Sequence, residues 1–190
     1  IQGDTVWVAL GDVVQVTLSN ELLTDGVTLH HHGIHQIGTP FYDGGAMIAQ
    51  APVPPARLMR YKFRAHPSGT QWYHSHTGLS YADGLHGVFV VEDPADPLKA
   101  FYDTEHALMI SDWMSFRSAD EYFETKESAR YNTDAPNVID APWRETCVVN
   151  GAASNSSATS SGYVFEVERG HRVRLRLVHG GWNLDIDVAL

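Results

Sequence analysis

Apolar residues recur at every second position through much of the first hundred residues, the period of a half-buried strand rather than a helix. Val14, Val16 and Leu18 alternate with Gln15 and Thr17 after a Gly11-Asp12 turn, and Asn20 ends that run. Met59, Tyr61 and Phe63 alternate with Arg60, Lys62 and Arg64, which predicts a sandwich strand with one wet face. Val6-Trp7-Val8-Ala9-Leu10 and Gly87-Val88-Phe89-Val90-Val91 read as further strands, and a Gly69-Thr70 turn leads into another at 71–77. Short strands separated by turn residues predict an all-β sandwich.

The second half is less regular. A boundary linker is expected at 93–103, around Pro94 and Pro97, followed by a strand at 107–110. Ser118-Ala119-Asp120-Glu121 has capping-box spacing and predicts a short peripheral helix to about residue 130. Strands are expected at 147–149, 163–167, 172–178 and 184–190, with Glu168-Arg169-Gly170 turning 163–178 into a hairpin and a polar loop at 152–162. The expected organisation is a first domain over 1–95, a connection over 96–145 holding one strand and the helix, and an incomplete second domain over 146–190. A whole sandwich takes roughly seven strands and about 100 residues, so the second set reads as a piece of a longer polypeptide. Gly11-Asp12-Val13-Val14-Gln15-Val16 and Gly170-His171-Arg172-Val173-Arg174-Leu175 share one pattern, a hint of two copies of one fold.

Composition narrows the function classes. A formal net charge of −10 argues against a nucleic-acid surface, which needs clustered Lys and Arg. The run Arg172, Arg174, Arg176, alternating with Val173, Leu175 and Leu177, reads as the solvent face of a strand. Cys147 is the single cysteine, so no internal disulfide or Cys-x-x-Cys site exists, and its apolar neighbours predict a buried, inert thiol. No apolar stretch is long enough to span a membrane, and the first residues have no signal-peptide pattern, so the chain is expected to start after any such peptide or never to have had one. Asn155-Ser156-Ser157 is a glycosylation sequon, consistent with a secreted protein.

Two His-x-His pairs carry the chemistry: His30 and His32 in Leu29-His30-His31-His32-Gly33, and His74 and His76 in Trp72-Tyr73-His74-Ser75-His76. Residues i and i+2 of a strand face the same way, roughly 7 Å apart, so two adjacent strands could aim four imidazoles into one cavity. Imidazole suits Cu, Zn, Fe and Ni, and four ligands imply either more than one ion or a single tetrahedral site. By the same alternation His31 turns to the opposite face, as packing or surface. His35 is expected to be structural. His66, His86, His106, His171 and His179 lack ligand spacing and are expected to be solvated or internally satisfied.

These motifs, with Thr28-Leu29-His30-His31-His32-Gly33-Ile34-His35-Gln36, Tyr42-Asp43-Gly44, Asp83-Gly84-Leu85-His86-Gly87 and Ser111-Asp112-Trp113 in order, resemble the first domain of a multicopper oxidase of the laccase-like branch, over roughly residues 3–114. The resemblance implies a cupredoxin-like Greek-key sandwich. It implies that His30 is a ligand of a type 2 copper, and that His32, His74 and His76 are ligands of paired type 3 coppers in a trinuclear cluster. Asp43 falls where the family has an acid that assists proton delivery; the alternative is a plain turn dipeptide. Ala51 stands where family members often have a cysteine, and His31 where an aromatic residue is usual. The His-x-x-His-x-His and His-Cys-His motifs, which supply the type 1 copper and the other cluster ligands, are absent from these residues.

The resemblance thus implies the N-terminal part of an enzyme coupling one-electron oxidation of phenols or similar substrates to four-electron reduction of O2 to water. The partners implied are O2, a small reducing substrate, and the remaining domains of the same protein or a complementary chain. The piece alone is expected to be inactive. Two other classes are a non-catalytic copper-binding cupredoxin module and a zinc-binding extracellular domain.

Overall fold

The computed structural model describes residues 2–113, 146–153, 162–181 and 186–189. Among these residues run ten strands: β1 (Val6–Ala9), β2 (Val13–Asn20), β3 (Leu29–His32), β4 (Arg57–Arg64), β5 (Gly69–Ser75), β6 (His86–Glu92), β7 (Thr104–Trp113), β8 (Thr146–Val149), β9 (Ala152–Ala153) and β10 (Val173–His179). The only helical elements among the described residues are short 3-10 turns at Pro40–Tyr42 and Lys99–Phe101. The helix expected at 118–130 lies outside the described residues.

Strands pair as a four-stranded sheet in the order β1-β6-β5-β3, an antiparallel β2-β4 pair, and a second four-stranded sheet in the order β10-β7-β8-β9. β6 explains how the layers stack. Its run His86-Gly87-Val88-Phe89-Val90-Val91 is buried throughout, and alternation sends its side chains two ways. Phe89 and Val91 join Val14, Leu29, Ile34, Tyr61, Phe63 and Ala65 in one core, against β2 and β4. Val88 and Val90 face the other way and pack with Ala107, Met109 and Val178 of β7 and β10. The first sheet is therefore covered on both faces, and its uninterrupted apolar strand is the consequence.

Within the first core, Tyr61 is fully buried and its hydroxyl accepts a 3.1 Å bond from the Leu29 N–H. This bond reaches across the sandwich to fix the start of β3. Just ahead of β3, buried Asn20 donates to the Asp25 and Val53 carbonyls and accepts from the Leu22 N–H, closing the loop between β2 and β3.

Several expectations are corrected. Residues 163–167 are irregular, so no hairpin ladder forms with β10; only a His171 N–H to Glu168 carbonyl turn survives. Residues 186–189 are likewise not a strand. Gly69 and Thr70 are the first residues of β5 rather than a turn before it, and β5 ends at Ser75. Cys147 is exposed, not buried, because alternation in β8 puts Val148 inside instead.

Arg176 of β10 points inward. Arg176 is buried while Leu177 is exposed, the reverse of the hydrophobic expectation. The reason is an acidic ladder from the segment around β7: Arg172 with Asp103 at 3.7 Å, Arg174 with Asp96 at 2.6 Å, and Arg176 with Glu105 at 2.7 Å. Arg176 also donates to Thr70 Oγ1 at 2.8 Å, joining the two four-stranded sheets.

Replacing Tyr61 with Phe keeps the ring and strands the buried Leu29 N–H. The expected loss is about 1–3 kcal/mol of unfolding free energy, the cost of an unsatisfied buried donor, read from urea denaturation. An unchanged midpoint would show that the bond does not hold β3.

Candidate metal centre

The register between β3 and β5 builds the site. His30 lies directly opposite His74, His31 opposite Tyr73, and His32 opposite Trp72. Alternation therefore places His30, His32, Trp72 and His74 on one face and Leu29, His31, Tyr73 and Ser75 on the other. His30, His32 and His74 each offer a ring nitrogen, and these nitrogens all lie within 4.8 Å of one another. His76, just past the end of β5, completes the cluster of rings, with its centroid 5.3 Å from His30 and 5.8 Å from His74.

Hydrogen bonds fix which nitrogens face the cavity. His30 Nδ1 donates to the Asp43 main-chain carbonyl at 2.5 Å, leaving Nε2 as its lone-pair atom. His74 Nδ1 donates to the Ser75 carbonyl at 2.8 Å, and its Nε2 lies 3.4 Å from His32 Nδ1. Two nitrogens that far apart can both reach one ion at a bond length of about 2.0–2.1 Å. Imidazole nitrogen is a good donor for copper, so the residues present fit that metal.

Asp43 closes the 3-10 turn, its N–H donating to the Pro40 carbonyl at 3.1 Å. The next residue, Gly44, has φ +87°, and a Cβ there would sit 2.1 Å from the Leu29 carbonyl oxygen. Only glycine lets the turn approach β3 closely enough for the Asp43 carbonyl to reach His30. The Asp43 carboxylate lies 3.5 Å from His30 Nδ1 and is partly open to solvent.

Burial sets the charge state of the rings. Desolvation brings His74 down to about 4, aided by the neighbouring histidines and opposed by the Ser75 carbonyl. His32 is lowered by desolvation first, then by His30 and His76, with Asp43 opposing. At neutral pH these two rings are uncharged and keep a lone pair for a metal. His31 is packed, with 1% exposure, between Tyr61, Phe63, Tyr73 and Phe89, and desolvation takes it down to about 3.

Two contributors went unread in the sequence. Trp72 stacks on His74 at 4.1 Å and on His32 at 5.4 Å, each at 26°, forming a flat backing for both rings. Its position two residues before His74 in an alternating strand was the available signal. Tyr81 packs edge-on against Trp72 and at a tilt against His74, and its carbonyl accepts from His86 Nδ1, which satisfies that buried histidine as expected. His35 and His66 lie outside this cluster and meet each other, with ring centroids 5.2 Å apart.

Residues 1–96 match the family described as multicopper oxidase. The chain belongs to the multicopper oxidase family. Laccase-2 of Botryotinia fuckeliana is 33% identical over 200 aligned residues, covering 100% of this chain and 32% of that protein. An L-ascorbate oxidase of Nicotiana tabacum is 43% identical over 112 residues, covering 58% of this chain and 19% of that protein. The solved structure of Fet3p, a multicopper oxidase that functions in iron import, superposes with TM-score 0.77 at 29% identity, covering 93% of this chain and 31% of that one. A laccase from Botrytis aclada gives 0.73 at 32% identity, covering 93% and 32%. This multicopper oxidase chain thus spans about a third of the length of the full-coverage relatives, and its strands form the family's cupredoxin-like Greek-key sandwich, one complete and a second in part. The family is one of oxidoreductases that use copper.

Because His31 and His74 are held neutral below their ordinary 6.5, the unfolded chain binds more protons than the folded one at mildly acid pH. Stability of the metal-free chain is expected to be full above about pH 6.5 and to fall steadily as the pH drops toward 4. His31→Phe, which fits its aromatic surroundings, is expected to flatten that slope while leaving His74 to titrate. Denaturant midpoints at pH 7, 5.5 and 4.5 check both statements.

Proposed function

We propose that this chain is the N-terminal portion of a laccase-like oxidase and contributes half of its trinuclear copper cluster. The observation that carries the reading is the convergence of ring nitrogens from His30, His32 and His74 on one sheet face. In this assignment His30 serves the type 2 copper, and His32, His74 and His76 serve the type 3 pair. Domain 1–95 holds the ligands, residues 96–145 connect, and 146–190 begin a second cupredoxin domain.

Copper, when bound, supplies one-electron redox chemistry, so that electrons taken singly from a phenolic or similar reductant reduce O2 to water in a four-electron reaction. The residues of this chain do the rest. His30 is locked by the Asp43 carbonyl in the tautomer that frees Nε2, and His74 by the Ser75 carbonyl in the tautomer that frees its own. Trp72 keeps two of the rings from rotating. The Asp43 carboxylate, half open to solvent and next to His30, is placed to take protons from water and pass them toward the cluster.

The missing ligands, the type 1 copper and the reductant site belong to the remainder of the protein or to a complementary chain, so the piece alone does not turn over. Secretion fits a copper oxidase, and no helix among the described residues is long and apolar enough to cross a membrane. The sequon at Asn155 lies outside the described residues. A copper-binding module without oxidase activity is the alternative, but it gives no reason to keep all four ligand positions.

Copper titration of the chain, followed by absorbance and electron paramagnetic resonance, tests the reading. His74→Ala is expected to weaken binding more than about 100-fold, beyond the ~10–100-fold that losing an outer partner costs. Unchanged affinity in that variant rejects the site. In the intact oxidase Asp43→Asn, which keeps the main-chain carbonyl, is expected to retain copper and lose turnover, most at high pH where protons are scarce. Full turnover with an unchanged pH profile removes the proton role.

A further inference from the structure

Two strands of this protein carry alternating cations, and only one of them is neutralised. At β10, Arg172 just before the strand and Arg174 and Arg176 within it face Asp103, Asp96 and Glu105. On β4, Arg60, Lys62 and Arg64 are all exposed, and none is in an ion pair among the described residues. The pairing with β2 shows why. Thr17 stands opposite Arg60, Gln15 opposite Lys62 and Val13 opposite Arg64, so the outward face of the sheet has no carboxylate. The acidic residues nearest in sequence, Asp12 and Glu21, lie beyond the two ends of β2, and Asp12 Oδ2 accepts from the Ala9 N–H. Arg64 donates to the Gly11 carbonyl, which holds it without neutralising it.

Alternate residues of a strand are roughly 7 Å apart, so the three charges form a straight row about 14 Å long. Three exposed cations in a row repel one another and do nothing for the core, whose face is the one bearing Tyr61 and Phe63. We propose that the outward face of β2 and β4 binds a linear anionic polysaccharide, with Arg60, Lys62 and Arg64 meeting carboxylate or sulfate groups. Gln15, Thr17 and Ser19, exposed on the adjacent strand, supply amide and hydroxyl groups that suit sugar hydroxyls. A nucleic acid fits less well, because the face offers no aromatic ring for bases to stack on. This surface is on the opposite side of the sandwich core from the histidine cluster, so the proposal stands apart from the oxidase reading.

The test is binding of the chain to polygalacturonate, heparin and neutral dextran by titration calorimetry, at 50 and 200 mM NaCl. Binding to at least one acidic polymer and none to dextran is expected, and which polymer binds separates carboxylate from sulfate recognition. Three ionic contacts at a salt slope near −0.7 each predict roughly 20-fold weaker binding at the higher salt. The triple substitution Arg60→Gln, Lys62→Gln, Arg64→Gln is expected to abolish binding without moving the thermal midpoint by more than a few degrees, whereas the charge-keeping pair Arg60→Lys, Arg64→Lys retains it. No binding to either acidic polymer at 50 mM NaCl overturns the proposal. So does binding that survives in the triple variant while the chain stays folded, or tighter binding of a single-stranded oligonucleotide than of both polysaccharides.

Discussion

Everything at the candidate centre depends on the pairing register of β3 with β5. One residue of slip in β3 would turn His31 out of the aromatic core and drive His30 and His32 into it, and one in β5 would exchange Tyr73 for His74. The register is held from the core side, where Leu29 is clamped by Tyr61 and His31 is enclosed by four aromatic rings. Burial of that face is what makes the opposite face reliable. The ligands do not position themselves; the residues between them do.

Holding several histidines together is electrostatically costly if any carries a proton. Desolvation removes that cost by keeping His74 and His32 neutral, and each neutral ring then has one N–H to satisfy and one lone pair to offer. Main-chain carbonyls of Ser75 and Asp43 take the N–H of His74 and His30. These acceptors belong to fixed backbone, one in the strand itself and one in a turn brought close by Gly44. The lone pairs are thereby aimed before any metal arrives, so little ordering cost remains for the binding step.

Period-two alternation made most strands of the first hundred residues legible, and with them the shared face of His30 with His32 and of His74 with His76. What alternation cannot say is which strand pairs with which, since hydrogen-bond partners are far apart in sequence; the cross-strand contact of His30 with His74 and the stacking of Trp72 came only from the fold. Asp43 was picked out by the family resemblance alone, its place before glycine reading as a plain turn, and its main-chain carbonyl, not its side chain, makes the shorter contact with His30. Residues 163–167 are as apolar as many strands and still form none, because an apolar pattern reports a capacity for burial and this segment pairs with no strand among the described residues.

β10 shows the limit of hydrophobic patterning most sharply. Reading Leu175 and Leu177 as buried and the arginines as wet is the cheaper arrangement one strand at a time, since burying a guanidinium costs several kcal/mol even when paired. The acids at 96, 103 and 105 reverse the choice: in the parallel register Arg174 lies beside Glu105 and Arg176 beside Ala107, and in this alignment Arg172 meets Asp103, Arg174 meets Asp96 and Arg176 meets Glu105. Shifted by one residue, the strand would leave three acids and three bases unpaired at once. Leucines in those positions would tolerate several registers equally, while the ionic ladder tolerates one, and it is this alignment that carries Arg176 to Thr70 and ties the second sheet to the strand that bears His74.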